Sequence, residues 1–390
     1  MRSNYKQLGQ YIRQVDVRNV DGKEENLLGV SVQKQFIPSI ANTVGTDFSK
    51  YKVVKKGQFT YIPDTSRRGD KIGIALLEDY EEGLVSNVYT VFEVIDENQL
   101  MPEYLMLWFK RPEFDHYARF KSHGSVREVM DWDEMCKVEL PVPPIEKQRS
   151  IVKAYQTITD RIALKRKINE NLTEQCCTDY VKMLDGYTTD SNDLPDGWNV
   201  SNIGNYCDIK SGYAFKSDWW TDRGYKVIKI SNIGNNTIDL DSCACVAEEY
   251  AKKAENFYVQ SGDILIAMTG ATTGKIGMVP KCTEAIVVNQ RVGKFFLGDN
   301  PTDRAPFLFS TLLYNRVLCH LQPDGTAGSV QDNLSADNIK NIAIVLPAPS
   351  VINKFNKQHK PYIVKILENC AEIRILKKLS DTVLQILSSC

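Results

Sequence analysis

Apolar positions along this chain follow two different periods, and the switch between them happens twice. From the N-terminus to about residue 143, apolar side chains come in short alternating or continuous runs bounded by Gly, Asn and Asp, the pattern of strands with one or both faces buried. Val53–Tyr61, Lys71–Leu77 and Leu84–Val94 read as strands, Pro102–Phe109 as a helix, and Lys137–Val142 as a last short strand. The period then turns helical: Ile151, Tyr155, Ile158, Ile162 and Leu172 recur at three, four or sums of these. The strand pattern returns in Gly262–Met268, Lys275–Val279, Ala285–Phe296 and Asn341–Leu346, with a helix expected over Pro306–Leu318. A second helical seam follows in Ile363, Ile366, Cys370, Ile373, Leu376, Leu379, Val383 and Ile386.

Each helical seam opens just after a proline-rich exit, and Pro144 and Pro349 suit a helix start, where a missing N–H costs nothing. Each helix is expected to run for about 36–40 residues, or roughly 55–60 Å at 1.5 Å per residue. A single amphipathic helix of that length has to cover its apolar stripe with something. The simplest partner is the other helix, giving an antiparallel coiled coil that holds the two β-rich parts at its ends about a pseudo-twofold axis. The alternative is that each helix packs on its own globular part.

The two halves also match in sequence at a shift of about 204 residues. Gly57 before a strand corresponds to Gly262, Lys71-Ile72-Gly73 to Lys275-Ile276-Gly277, and Val85-Ser86-Asn87 to Val287-Val288-Asn289. Gly124-Ser125-Val126 corresponds to Gly328-Ser329-Val330, and Leu140-Pro141-Val142-Pro143 to Leu346-Pro347-Ala348-Pro349. A long unit present twice is a domain duplication, not a solenoid. The fold class expected is α+β, with two tandem β-rich domains at 1–143 and 191–348 and long helices at 144–190 and 349–390.

Composition narrows the function classes. At 43% hydrophobic and 25% charged residues, the chain of 390 residues has the balance of a globular protein. No apolar run approaches the roughly 18–20 residues that span a bilayer, and Met1–Gln7 has no apolar core, so a cytoplasmic protein is expected. The ten cysteines are scattered, no Cys-x-x-Cys occurs, and His116, His123, His320 and His359 fall at no ligand spacing from them. Free thiols and no metal site are expected.

Catalytic motifs are missing from the sequence. No Asn/Asp-Pro-Pro-aromatic loop is present to grip a flipped base, and no Gly-rich loop for S-adenosylmethionine follows a strand. Gly270-Ala271-Thr272-Thr273-Gly274-Lys275-Ile276 approaches a phosphate-binding loop, but its Gly spacing is one short and Ile276 replaces the magnesium-binding hydroxyl. Strand pattern follows it, where a phosphate loop would open a helix. The carboxylate pairs Asp131/Asp133 and Glu81-Glu82 have no lysine at nuclease spacing and read as solvated surface.

The ordered set of motifs resembles the specificity subunits of type I restriction–modification systems, over essentially the whole chain. Leu194-Pro195-Asp196-Gly197-Trp198, Ser211-Gly212-Tyr213-Ala214-Phe215-Lys216-Ser217, the hairpin Gly262–Gly277, Asn289-Gln290 and Leu346–Pro349 carry the likeness in the second half. In the first half it is carried by Gly57–Ile62, Val85–Phe92 and Leu140–Gln148. The first domain lacks the Leu-Pro-x-Gly-Trp opening and begins near Tyr5-Lys6-Gln7-Leu8-Gly9.

The resemblance implies a DNA-binding subunit without catalysis, each domain reading one half of a bipartite, non-palindromic target while the helices set the spacing. Partners implied are double-stranded DNA, two modification subunits docked on the helices, and restriction subunits. S-adenosylmethionine, ATP and magnesium belong to those partners, and the chain itself needs no cofactor. Residues at predicted turns become the candidate base readers: Lys34, Arg67, Arg68 and Arg127 in the first domain, and Tyr213, Lys216, Thr272, Thr273, Lys275, Arg291 and Gln331 in the second. Lys50, Lys52, Lys55 and Lys56 form the densest basic cluster, suited to phosphates, and Trp219-Trp220 reads as either core or an exposed platform.

Charge does not advertise this function. The net charge is −1, and 1–143 and 191–348 each carry −3 while 349–390 carry +4. Local clusters and partner subunits would have to neutralise the phosphates. A duplicated β-domain scaffold that binds proteins and no nucleic acid is the competing reading, and an enzyme with an unrecognised site a third.

Overall fold

One turn is built twice, at Gly57 and at Gly262. The computed structural model of the chain describes residues 5–39, 45–64, 71–122, 128–322 and 333–389. In it the Gly57 amide donates to Leu77 O and the Gly262 amide to Val279 O, each at 2.9 Å. The next side chain folds back three residues in both copies: Gln58 Oε1 accepts from Lys55 N at 2.8 Å, and Asp263 Oδ2 from Gln260 N at 2.9 Å. These turns interrupt the chain just before the central strand of each half. The single strand expected over Val53–Tyr61 is therefore two strands, Lys52–Lys55 and Phe59–Tyr61.

The chain divides into two compact units, Met1–Asp160 with Lys377–Cys390, and Arg161–Leu376. The first contains β1 (Tyr5–Gln7), β2 (Ile12–Val15), β3 (Leu28–Val30), β4 (Phe36–Pro38), β5 (Lys52–Lys55), β6 (Phe59–Tyr61), β7 (Ile74–Leu76), β8 (Glu82–Val85), β9 (Thr90–Val94) and β10 (Glu139–Pro141). Its helices are α1 (Pro102–Phe109), α2 (Pro112–Lys121), α3 (Trp132–Cys136) and the start of α4 (Ile145–Leu184). The main sheet has the order β2-β9-β6-β7, and β5-β8, β3-β4 and β1-β10 pair separately. Phe59 and Phe92 stack at 4.8 Å across neighbouring strands, and Phe109 of α1 meets Phe59 edge-on at 5.8 Å. Val152 of α4 and Leu384 and Leu387 near the C-terminus are buried in this same core.

The second unit continues α4 and then forms β11 (Asn199–Asn202), α5 (Ile203–Tyr206), β12 (Asp208–Ser211), β13 (Trp220–Thr221), β14 (Tyr225–Ile228), β15 (Ile233–Gly234), β16 (Asn236–Ile238), β17 (Ala244–Val246), α6 (Glu248–Lys252) and β18 (Tyr258–Val259). There follow β19 (Ile264–Ala267), β20 (Ile276–Met278), β21 (Ile286–Val288), β22 (Val292–Phe296), α7 (Ala305–Leu313), α8 (Asn315–Leu321), α9 (Ala336–Lys340), β23 (Ala343–Leu346) and α10 (Pro349–Ile386). The sheet order β12-β22-β19-β20 repeats β2-β9-β6-β7, and β18-β21 and β11-β23 repeat β5-β8 and β1-β10. Among the described residues the second unit adds β13 to β17, which extend both of its sheets, where the first has only the β3-β4 hairpin.

The helix expected over Pro306–Leu318 is broken at Tyr314, whose ψ of 128° is extended. The Tyr314 ring lies 5.7 Å from Tyr180 of α4. Within this unit α4 and α10 run antiparallel, because partners descend along one helix as they rise along the other. Asp179 meets His359 at 3.1 Å, Asn169 meets Asn369 at 2.8 Å, and Arg161 and Lys165 both pair with Glu372. Helix pairing does not replace packing on the domain: Ile352, Phe355, Ile363, Ile366 and Leu367 are also part of the second unit's core.

Two residues of the expected C-terminal seam, Leu379 and Ile386, are exposed, while Ser380, Leu384 and Leu387 are buried. The buried face there falls between the positions that a strict heptad would choose, since an unsupercoiled helix drifts by about 20° per heptad. Among the described residues no helix is long and apolar enough to cross a membrane.

Candidate nucleic-acid interface

In the second unit the candidate readers gather where several strands end together. After β12 the chain passes Gly212 to Tyr213, whose amide donates to Val288 O at 2.9 Å, while Gln290 N donates to Tyr213 O at 2.9 Å. Gly212 is needed here: a Cβ would lie 2.3 Å from Val288 O, a backbone atom that cannot move aside. Asn289 N donates to Ile228 O, and Met268 N to Arg291 O, both at 3.0 Å. The ends of β12, β14, β19 and β21 and the start of β22 thus meet at one edge.

The hairpin turn between β19 and β20 joins the same edge. Thr272 Oγ1 donates to Ile230 O at 3.4 Å, and Thr273 Oγ1 to Gly270 O at 2.6 Å. Gly274 packs against the end of α8, where a Cβ would lie 2.1 Å from Leu321 O. The turn holds a single 3-10 turn, Gly270–Thr272, and leads into strand β20 instead of an α-helix, while the amides of Thr273, Gly274 and Lys275 are bonded to Gly270 O, Ala267 O and Thr272 O. Lys275, Gln290 and Arg291 are exposed around it.

These side chains suit base edges. Arg presents a fork that fits guanine O6 and N7, and Gln or Asn matches adenine N6 and N7, each good bidentate pair being worth about 1–3 kcal/mol of discrimination. Lys216, Lys275 and Arg291 form no ion pair among the described residues. Their charges are therefore not already spent on neighbouring carboxylates.

The first unit departs from expectation. Lys34 has φ +62° and is buried, its ammonium 2.8 Å from the equally buried Asp115 and donating to Phe109 O. Burial lowers its pKa against the opposing pull of Asp115. A lysine held in this way is part of the core and cannot reach a base, which corrects the expectation drawn from its place in a turn.

The basic cluster is also dispersed by carboxylates. Lys50 pairs with Asp47 at 3.3 Å and Lys56 with Glu81 at 3.1 Å, while Lys52 donates to Tyr89 O at 2.8 Å and lies 3.9 Å from Asp16. Arg67, Arg68, Arg127 and Gln331 lie outside the described residues, as do both Gly-Ser-Val segments. Among the described residues no group of three or more His, Cys, Asp or Glu is placed to hold a metal ion.

Sequence reasoning passed over Lys229, Tyr250 and Lys253, which lie beside Trp219 and Trp220. Nothing in the pattern marks them. Their neighbours come together through β13, β14 and β17, strands that have no counterpart among the described residues of the first half.

A sheet built twice, with loop-borne Arg, Lys, Gln and Thr at a shared strand edge of the second unit, defines a protein of two duplicated modules. The chain belongs to the family of the type I restriction modification DNA specificity domain, whose model matches twice, at residues 9–174 and 195–385.

Among relatives, it is 25% identical over 281 residues to the type I restriction enzyme MjaVIII specificity subunit of Methanocaldococcus jannaschii, covering 68% of this chain. That alignment spans 64% of the relative, slightly under two thirds of its length. It is 21% identical over 306 residues to the MjaIX specificity subunit of the same organism, covering 75% of this chain and 69% of the relative. The crystal structure of a type I restriction-modification S subunit from M. genitalium shares the fold, with TM-score 0.59 at 15% identity over 98% of this chain and 95% of that one.

Proposed function

We propose that this chain is the non-catalytic, sequence-reading subunit of a type I restriction–modification complex. The observation that carries this is the agreement of two doublings: the family model matches twice, and the sheet order β2-β9-β6-β7 recurs as β12-β22-β19-β20. Each module reads one half of a bipartite target in double-stranded DNA. The halves differ because the modules differ, with β13 to β17 present in one only among the described residues. The long helices set the gap between half-sites.

Modification subunits dock on those helices, where Leu164, Ile375, Leu379 and Ile386 leave apolar side chains exposed. S-adenosylmethionine is carried by these partners, and ATP and magnesium by restriction subunits. The chain works in the cytoplasm, where its DNA is. With a net charge of −3 on each of 1–143 and 191–348, much of the affinity for DNA comes from the partners.

The deciding experiment is to express the chain with its modification subunits and map methylated bases across the host genome. Two short specific half-sites around a non-specific gap, read without palindromic symmetry and lost when this chain is omitted, are expected. Methylation that persists without the chain, or a complex that binds all duplexes alike, would overturn the reading.

A further inference from the structure

Beside the reading edge of the second unit lies a compact set of aromatic rings and lysines. Trp219 stacks face to face on Tyr250 at 4.4 Å and 6°, and buried Phe215 supports Trp219 and Trp220 at 6.5 and 5.9 Å. Lys253 Nζ lies 4.8 Å from the Trp219 ring and 5.1 Å from Tyr250, Lys216 Nζ 5.6 Å from Trp219, and Lys229 Nζ 3.6 Å from Trp220. Tyr213, at the reading edge itself, contacts Phe215 at 5.2 Å and lies nearly parallel to Trp219 at 6.4 Å.

Neighbouring lysines in this unit behave differently. Lys226 is paired with Glu284 at 3.1 Å and Lys252 with Glu248 at 2.9 Å. Lys216, Lys229 and Lys253 form no ion pair among the described residues and rest on rings instead. A ring restrains an ammonium without cancelling its charge. The carboxylates nearest in sequence are Asp218, Asp222, Glu248, Glu249 and Glu255; Glu248 is engaged by Lys252, and Glu249 by the Tyr250 hydroxyl, whose pKa it raises.

We propose that Lys216, Lys229 and Lys253, held on the Trp219, Trp220 and Tyr250 rings, grip backbone phosphates of the DNA duplex and so fix the second module in register on its half-site. The proposal rests on the DNA-reading function above and divides the labour within it: the rim positions, and the Tyr213–Arg291 edge reads. Lysine is suited to this because it meets a phosphate as a point charge on a flexible stem, whereas sequence is read by groups with fixed geometry. The rings do not serve to stack an unpaired base, since Trp219 already stacks on Tyr250 and its face is further occupied by a lysine. Among the described residues the first unit has no equivalent of the strands that assemble this rim, so the grip is one-sided.

The test is the triple variant Lys216→Gln, Lys229→Gln, Lys253→Gln, assembled with its modification subunits. Binding is measured from 50 to 300 mM NaCl on a duplex carrying the mapped target and on a scrambled duplex of equal length. The slope of log affinity against log salt is expected to fall by about 0.9 for each phosphate that the variant no longer neutralises, roughly 2–3 in all. Both duplexes should lose affinity by the same factor, leaving their ratio unchanged.

An unchanged slope overturns the proposal, and if the ratio collapses with it, these lysines read bases instead. If the wild-type complex does not distinguish the two duplexes, the DNA-reading function fails, and the slope of the variant still decides whether the rim holds phosphates.

Discussion

Gly212 shows how tightly one residue is held at the shared strand edge of the second unit. It lies between Ser211, the last residue of β12, and Tyr213, and any side chain there meets Val288 O and Asn289 O, at 2.3 and 2.6 Å. Gly212→Ala must push β12 away from β21 and break the Tyr213 N–H to Val288 O bond. We expect a loss of about 1–3 kcal/mol in urea unfolding, with recognition of one half-site degraded and of the other intact. A variant that melts like wild type and keeps both half-sites would show that the edge tolerates this shift.

The sequence motif Ser211–Ser217 pointed to this place because its glycine is required by backbone geometry. Lys34 was misjudged for the opposite reason. A lysine in a turn is ordinarily solvated, and nothing local indicates that Asp115, 81 residues later, buries it.

At the scale of elements, α10 is tied to the second module by a charge cluster. Arg374 pairs with Asp241 at 2.8 Å and with Glu284 at 2.7 Å, and Glu284 also holds Lys226 at 3.1 Å. Partial burial raises the pKa of Glu284, but hydrogen bonds from Arg374 and Lys226 and the charges behind them outweigh it, bringing the carboxyl to about 2. A folded-state value below the unfolded 4.5 means a contribution to stability that is complete above 4.5 and fades as the pH falls toward 2. Glu284→Gln is expected to be less stable than wild type at neutral pH, with the difference shrinking across that acid window. Equal stability at neutral pH would show that the cluster contributes nothing.

The long helices are legible because their apolar period persists for about six turns in each, from Ile151 to Leu172 and from Ile363 to Ile386. Their interruptions are not. Pro361 lies inside α10, where the missing N–H should end a helix, yet Phe355, Ile363 and Ile366 are buried on either side of it and hold the helix together. The strands read as one over Leu84–Val94 and Ala285–Phe296 are each two, because a turn at Ser86–Tyr89 or Asn289–Val292 breaks a run whose apolar pattern does not.

At the scale of the molecule, duplication and division of labour make a prediction that no single residue can test. The two compact units divide between Asp160 and Arg161 on α4 and between Leu376 and Lys377 on α10. Seven residues inserted at both points add about 10.5 Å of helix, roughly the length of three base pairs at 3.4 Å per step. A heptad turns a helix by nearly two full turns, so each buried face keeps its phase to within about 20°.

Three base pairs, by contrast, rotate the duplex through about 100°, a mismatch that a longer gap takes up by twisting along its length, whereas a target with the original gap would have to be stretched by the full added length. Methylome mapping of the doubly extended protein should therefore return the same two half-sites separated by a longer gap, and no modification of the original target. If the half-site sequences change while the gap stays constant, the helices do not set the spacing, and reading and measuring are not separate tasks in this chain.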